Sequence, residues 1–160
     1  PGEVNGVHYH FVDEDQFLNM LGEGEFLESA EVHGARYGTS QSLVQAALKA
    51  GDDLILEIDW QGAQQVRKQL SEVVGIFILP PSIDTLAHRL AHRGQDSMEV
   101  IARRLAAARE EISHVVEFDY VIINDNFQTA LEDLLAVVRS QRLKRDKQLL
   151  EHQDLLNSIN

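Results

Sequence analysis

Two acids and a group of arginines stand out in this chain as residues whose types and spacing could do chemistry. Glu57 and Asp59 close the run DLILEID at 53–59. Two apart on a strand, they point to the same side. In open parallel sheets, ligands bind beyond the carboxyl ends of the strands. Paired carboxylates there suit a hydrated divalent cation or the N–H edge of a base. The other reading is that strands often end in acids simply because the chain is leaving the core. Arg89 and Arg93 are four apart and share a helix face, and Arg103 and Arg104 follow beyond Gly94. A guanidinium grips phosphate oxygens through a fixed fork and never loses its charge, which suits a polyanion that must be clamped. Any one of these arginines alone is explained by a solvated helix face, with pairs such as Glu99 and Arg103. Their concentration in an otherwise acidic chain favours the anion reading. His8 with His10 and His88 with His92 have metal-ligand spacings. The run H-R-L-A-H lacks the Glu of a zinc-protease motif and offers no third ligand, so the histidines read as solvated. The 160 residues contain neither a G-x-S-x-G elbow nor a G-x-x-x-x-G-K-[ST] phosphate loop.

These side chains must be held by a fold, and composition bounds it. A chain of 160 residues, 44% hydrophobic and 25% charged, fits one globular domain with a real core. Lys and Arg number 14 against 26 Asp and Glu, a net charge of −12. That balance argues against nucleic acid and anionic membrane as general partners. Cysteine is absent, which excludes disulfides and thiol catalysis and fits a reducing, cytoplasmic location. The longest apolar run, at 73–80, is too short to span a bilayer. Charge is uneven along the chain. Residues 1–42 carry a net −7 and residues 85–109 a net +3. An acidic lobe and a basic segment in one small domain suggest a ligand held between differently charged walls.

Periodicity supplies the elements. Val7, Tyr9 and Phe11 alternate with histidines and predict a strand. Asp13 with Gln16 forms a capping box for a short helix. Residues 26–32 predict a strand that turns at Gly34 and returns through Tyr37. Thr39 or Ser40 caps a helix with Leu43, Val44, Ala47 and Leu48 on one face, ended by Gly51. Residues 53–59 predict a strand, 60–70 a helix and 74–79 a buried strand. Ser82 caps a helix with Leu86 and Leu90 inward, and 97–116 predict a long helix. Residues 120–123 predict a third buried strand and 127–150 a final helix. From residue 40 onward, Val/Ile/Leu strands alternate with helices, which indicates an α/β domain with a mainly parallel sheet. The first 40 residues read as a small inserted lobe.

Eight runs together resemble the guanylate kinases, in the family's order and near its spacing. They are P-G-E-V-N-G at 1–6, Y-H-F at 9–11, F-L-E at 26–28, Y-G-T-S at 37–40, I-D-W-Q-G-A at 58–63, F-I-L-P-P-S at 77–82, R-L-A-H-R-G-Q-D at 89–96 and V-I-I-N-D at 121–125. The I-D-W-Q-G-A form is similar to the bacterial enzymes. The resemblance implies a P-loop nucleoside-monophosphate-kinase α/β fold. Residues 1–42 would form a GMP-binding lobe, 85–107 a helical lid, and 43–84 with 108–160 the core. It implies transfer of the γ-phosphoryl group of ATP to GMP, giving GDP and ADP, with Mg²⁺ as cofactor. Residue by residue, Tyr9 and Tyr37 match the tyrosines that bind the GMP phosphate. Glu28 matches the carboxylate that reads guanine, with Thr39 and Asp59 beside the base. Arg93 and Arg104 match the lid arginines that clamp the phosphates, with Arg89 as helper. Asn124 matches the adenine site and Glu57 the acid near the metal. GMP and ATP would be the partners, and a homo-oligomer is compatible with the sequence.

The chain departs from the family in three places. Glu57 stands where Asp is more common. Arg36 stands where an aromatic residue is common. The chain opens on Pro1, just after the position of a family arginine. The family's first strand, its glycine-rich loop ending in G-K-S, and a serine and two arginines for GMP lie before that point. The resemblance therefore implies a fragment that does not turn over alone. Its parent would be the enzyme. The rival reading is a non-catalytic guanylate-kinase-like module that binds protein partners. A kinase for another nucleoside monophosphate is the remaining alternative.

Overall fold

A computed structural model gives the structure of the chain and describes residues 4–7, 9–32, 34–92 and 98–159. Two compact units divide it, Pro1–Val73 and Val74–Asn160. Each contains one two-stranded sheet among the described residues.

In the first unit, helix α1 (Glu14–Gly22) starts from the expected capping box. Asp13 accepts from the Gln16 N–H at 2.8 Å, and the Gln16 side chain accepts from the Asp13 N–H at 3.2 Å. Strands β1 (Phe26–Val32) and β2 (Ala35–Ser40) pair antiparallel. The turn between them contains Gly34 at φ +80°, a conformation that costs glycine little. Ser40 caps helix α2 (Gln41–Ala50), and Gly51 ends it at φ +88°. Helix α3 (Trp60–Gln69) is capped by Asp59, whose Oδ1 accepts from the Gly62 N–H at 2.8 Å. Leu27, Val44 and Val66 form the buried centre, with Leu56, Ile58, Leu70 and Val73 packed against it. One strand and two helices thus share one small core.

In the second unit, β3 (Ile76–Leu79) and β4 (Tyr120–Ile123) pair parallel, with Ile76 beside Tyr120 and Leu79 beside Ile123. Helices α4 (Ile83–His92) and α5 (Met98–Ser113) and a 3₁₀ turn at Val115–Glu117 form the crossover. Ser82 caps α4 by accepting from the Thr85 N–H at 3.0 Å. The Phe77 and Phe118 rings meet edge to face, 4.9 Å apart. Asn126 caps α6 (Phe127–Arg142), and α7 (Arg145–Glu151) and α8 (Gln153–Ile159) follow.

Four sequence expectations need correction. Val7, Tyr9, His10 and Phe11 form no strand, only an isolated bridge between Asn5 and Tyr9, and His8 lies outside the described residues. The Gly6 N–H donates to the Tyr9 carbonyl at 2.7 Å, and the Phe11 N–H donates to Asn5 Oδ1 at 2.8 Å, so the backbone is spent on a turn. The alternation was real but had nothing to bury against, and Val7 and Phe11 are exposed. Residues 53–59 form no strand either. A strand exists through its ladder, and no described segment pairs with these residues. Leu56 and Ile58 still turn to the core while Ile55 is exposed, so the period of two survives without the hydrogen bonds. Strand β4 is not buried throughout: Ile122 is, but Val121 and Ile123 are exposed in a sheet of two described strands. The single final helix expected over 127–150 is two helices, α6 and α7, and α8 follows beyond that span. Leu143, Leu150 and Ile159 are exposed, so packing does not hold the segment in one helix.

Gly38 gives a test of the β1–β2 packing. A Cβ there would sit 2.7 Å from the Phe26 ring. That ring is already stacked on buried Phe17, centroids 4.7 Å apart. Gly38→Ala is expected to cost about 1–3 kcal/mol and lower the thermal midpoint by several degrees. Gly22→Ala, which meets nothing within 4 Å, is expected to leave the midpoint unchanged or raise it. Equal midpoints for the two variants in a thermal melt would contradict this packing.

Candidate functional site

Glu28 is 4% exposed, although it stands on a strand next to Leu27 at 2%. Consecutive residues on a regular strand face opposite sides, so both cannot be buried without a break in the pleat. The break is a bulge. Phe26 pairs with Ser40 and Glu28 with Thr39, leaving Leu27 as an extra residue on β1. A bulge of this kind re-aims the side chain that follows it. Here it turns a carboxylate inward, toward the first turn of α3. Thr39 Oγ1 donates to Glu28 Oε1 at 2.5 Å. Among the described residues this is the one hydrogen bond that Glu28 accepts, and no cation lies in ion-pair contact with it. Burial pushes its carboxyl above the ordinary value of 4.5; the Thr39 bond pulls it back, and the nearby charge of Asp59 adds to the rise. A carboxylate offers about four acceptor directions, so most of its capacity remains unused.

Two sequence-predicted residues lie at this group. Thr39 touches it, and Asp59 lies close enough to repel it while capping α3. Tyr9 and Tyr37, far apart in sequence, meet edge to face with ring centroids 5.8 Å apart. Both are exposed, so neither is a core tyrosine. Arg36 lies between the acids of the lobe, 3.5 Å from Glu14 and 3.9 Å from Glu31. Glu57 is exposed.

The second unit contains the other predicted residues. Asn124 follows β4 and extends its ladder, its N–H donating to the Leu79 carbonyl at 2.7 Å. Arg89 donates from Nη1 to the Asn124 carbonyl at 2.7 Å and from Nη2 to the Asp125 carbonyl at 3.4 Å. Its guanidinium therefore braces the loop that carries Asn124. Ile78, Leu79, Pro80, Leu86, Leu90 and these two residues line an open cavity of about 180 Å³. Arg104 is half-buried on α5, and Arg93 lies outside the described residues.

Three residues of α3 were not anticipated from sequence. Gly62 packs against the Glu28 carboxylate, and Gln65 and Gln69 bond to the backbone on either side of it. With Val66 they fall at helical spacing on one face. Polar residues on an otherwise core-facing stripe were the available signal.

Comparison with known proteins identifies the family. The sequence model of the guanylate kinase family matches residues 1–141. The chain is 65% identical to a guanylate kinase of Methylobacillus flagellatus over 159 residues, spanning 99% of this chain and 79% of that protein. It is 53% identical to a guanylate kinase of Vibrio cholerae, spanning 99% and 77%. Among solved structures, the guanylate kinase of Anaplasma phagocytophilum superposes with a TM-score of 0.77 at 35% identity, covering 91% of this chain and 71% of that one. The α/β architecture is that of the P-loop nucleoside-monophosphate kinases. A family match over residues 1–141 and a relative 65% identical across 79% of its length lead to one assignment: this chain belongs to the guanylate kinase family.

Proposed function

We propose that these residues serve the transfer of the γ-phosphoryl group of ATP to GMP, and that Glu28 selects the acceptor. The supporting observation is the burial of an ionisable carboxylate with one hydroxyl donor and no described counter-ion. Such a group is costly unless a ligand completes its hydrogen bonds. Guanine presents N1–H and an exocyclic amine side by side, and one carboxylate accepts from both. Adenine offers no such pair, so the site rejects it by leaving Glu28 unpaired. Thr39 orients the carboxylate, and Asp59 adds an acceptor near the base. The Tyr9 and Tyr37 hydroxyls would donate to the GMP phosphate.

In the transfer, a GMP phosphate oxygen attacks the γ-phosphorus, a new P–O bond forms, and the bond to the β–γ bridging oxygen breaks, releasing ADP. Phosphoryl transfer asks the protein mainly for positioning and for stabilising negative charge. Arg93 and Arg104 of the lid, 85–107, would supply that charge to the transferring phosphates. Arg89 would act through the Asn124 loop, at which adenine would sit. No group of three or more His, Asp or Glu among the described residues could hold a metal alone. That donor set fits Mg²⁺ held largely by ATP phosphates and water, with exposed Glu57 as the protein's carboxylate. Bound there, the ion would offset phosphate charge. A protein-binding scaffold module has no use for a buried carboxylate with unused acceptors, which favours the kinase reading.

Two outcomes follow for Glu28→Gln. In calorimetry on the gene's full natural chain, GMP affinity is expected to fall about 10- to 100-fold, because a charged acceptor of two bonds is lost. Unchanged affinity would contradict base recognition by Glu28. The same substitution is expected to stabilise the unliganded protein. A carboxyl raised in the fold binds its proton more tightly there than in the unfolded chain. Its favourable contribution is full below the ordinary value of 4.5 and is lost as pH rises through the raised one. Glu28→Gln should therefore raise the thermal midpoint by a few degrees at pH 7, and the gain should vanish below pH 4.5. A lower midpoint at pH 7 would contradict the burial cost.

A further inference from the structure

We infer that helix α3 is the positioning element for base selection, with Gly62 and Gln65 fixing where the Glu28 carboxylate sits. This rests on the function proposed above and extends it to residues that touch no substrate.

The argument begins at the bulge. Leu27 is the extra residue on β1, so the ladder with β2 does not fix it. Its carbonyl accepts instead from Gln69 Nε2 at 2.5 Å. On the other side of Glu28, the Ser29 N–H donates to Gln65 Oε1 at 3.0 Å, and Gln65 Nε2 donates to the Ser29 carbonyl at 2.9 Å. One primary amide matches the N–H and C=O of one residue, so Gln65 bonds Ser29 as a neighbouring strand would. Gln65 and Gln69 are four apart and project from one helix face. The residues before and after Glu28 are thereby both tied to α3, while its own side chain is tied to Thr39 on β2.

Gly62 supplies the space. A Cβ at 62 would lie 2.8 Å from Glu28 Oε2, 3.2 Å from Ile58 Cβ and 3.4 Å from Asp59 Oδ1. Real Cβ atoms do not approach an oxygen that closely, and this oxygen is no free end of a surface side chain. Its backbone conformation is helical, so alanine would be accepted there without strain and with better helix propensity. A glycine three residues into a helix is then a cost in helix propensity, and the carboxylate explains it. The first turn of α3 also presents the positive end of the helix dipole to this anion. Moving the carboxylate outward would weaken that interaction and spoil its two-point grip on guanine.

The test measures base discrimination in the gene's full natural chain. Hypoxanthine lacks the 2-amino group, so the ratio of kcat/KM for GMP over IMP reports whether Glu28 grips both donors. Gly62→Ala and Gln65→Met are each expected to lower that ratio about 10-fold, with KM for ATP within twofold of the parent. The fall should appear in kcat/KM for GMP and not in KM for ATP, which separates positioning from a structural role that would disturb both substrates. Glu28→Gln is the control. If it collapses the ratio while both α3 variants leave the ratio unchanged, the inference is overturned and the proposed function stands. If Glu28→Gln itself leaves the ratio unchanged, the proposed function fails and the inference falls with it.

Discussion

A negative charge held away from water at Glu28 is the constraint around which the first unit is organised. A carboxylate in that position costs several kilocalories unless hydrogen bonds or a counter-charge offset the loss of hydration. Thr39 supplies one bond, and the acid at Asp59 works in the opposite direction. Stability alone would select against such an arrangement. It makes sense if a ligand with two adjacent N–H donors completes the site, so that the free protein carries a cost that the complex removes.

Much of the local structure follows from placing that one group. The bulge at Leu27 breaks the alternation of β1, so that an apolar residue and an acid can face inward together. Glutamines of α3 bond the backbone of Leu27 and Ser29, on either side of Glu28. Asp59 caps α3 and leaves its first turn aimed at the acid, and Gly62 keeps that turn narrow. Leu27 and Val66 then bury the remaining apolar surface between β1 and α3, with Val44 of α2 closing the cluster. Hydrogen-bond accounting and core packing thus meet on three short elements.

What the sequence showed and what it hid divide along physical lines. Caps were legible because a short polar side chain at a fixed offset has a local cause. Asp13, Ser40 and Ser82 all accept from the third residue of their helices. The hairpin was legible from its turn at Gly34. The run at 53–59 was misread because period two predicts a strand's faces but not its partner. Residues 7–11 were misread for the same reason. The identity of Glu28 came from motif resemblance; no spacing argument set it apart from the seven other acids of residues 1–42. Its burial depends on a one-residue bulge, which has no composition signal. Gln65 and Gln69 were passed over because their bonds reach back more than thirty residues. Tyr9 and Tyr37 were named from resemblance, and their contact is a tertiary fact.

A structure of the gene's full natural chain with GMP bound tests the central claim most directly. The account predicts the purine N1 and its exocyclic nitrogen each about 2.7–2.9 Å from an oxygen of Glu28, with Thr39 still donating to that carboxylate. A base seated elsewhere, with Glu28 still enclosed and bonded to Thr39 alone, would contradict it.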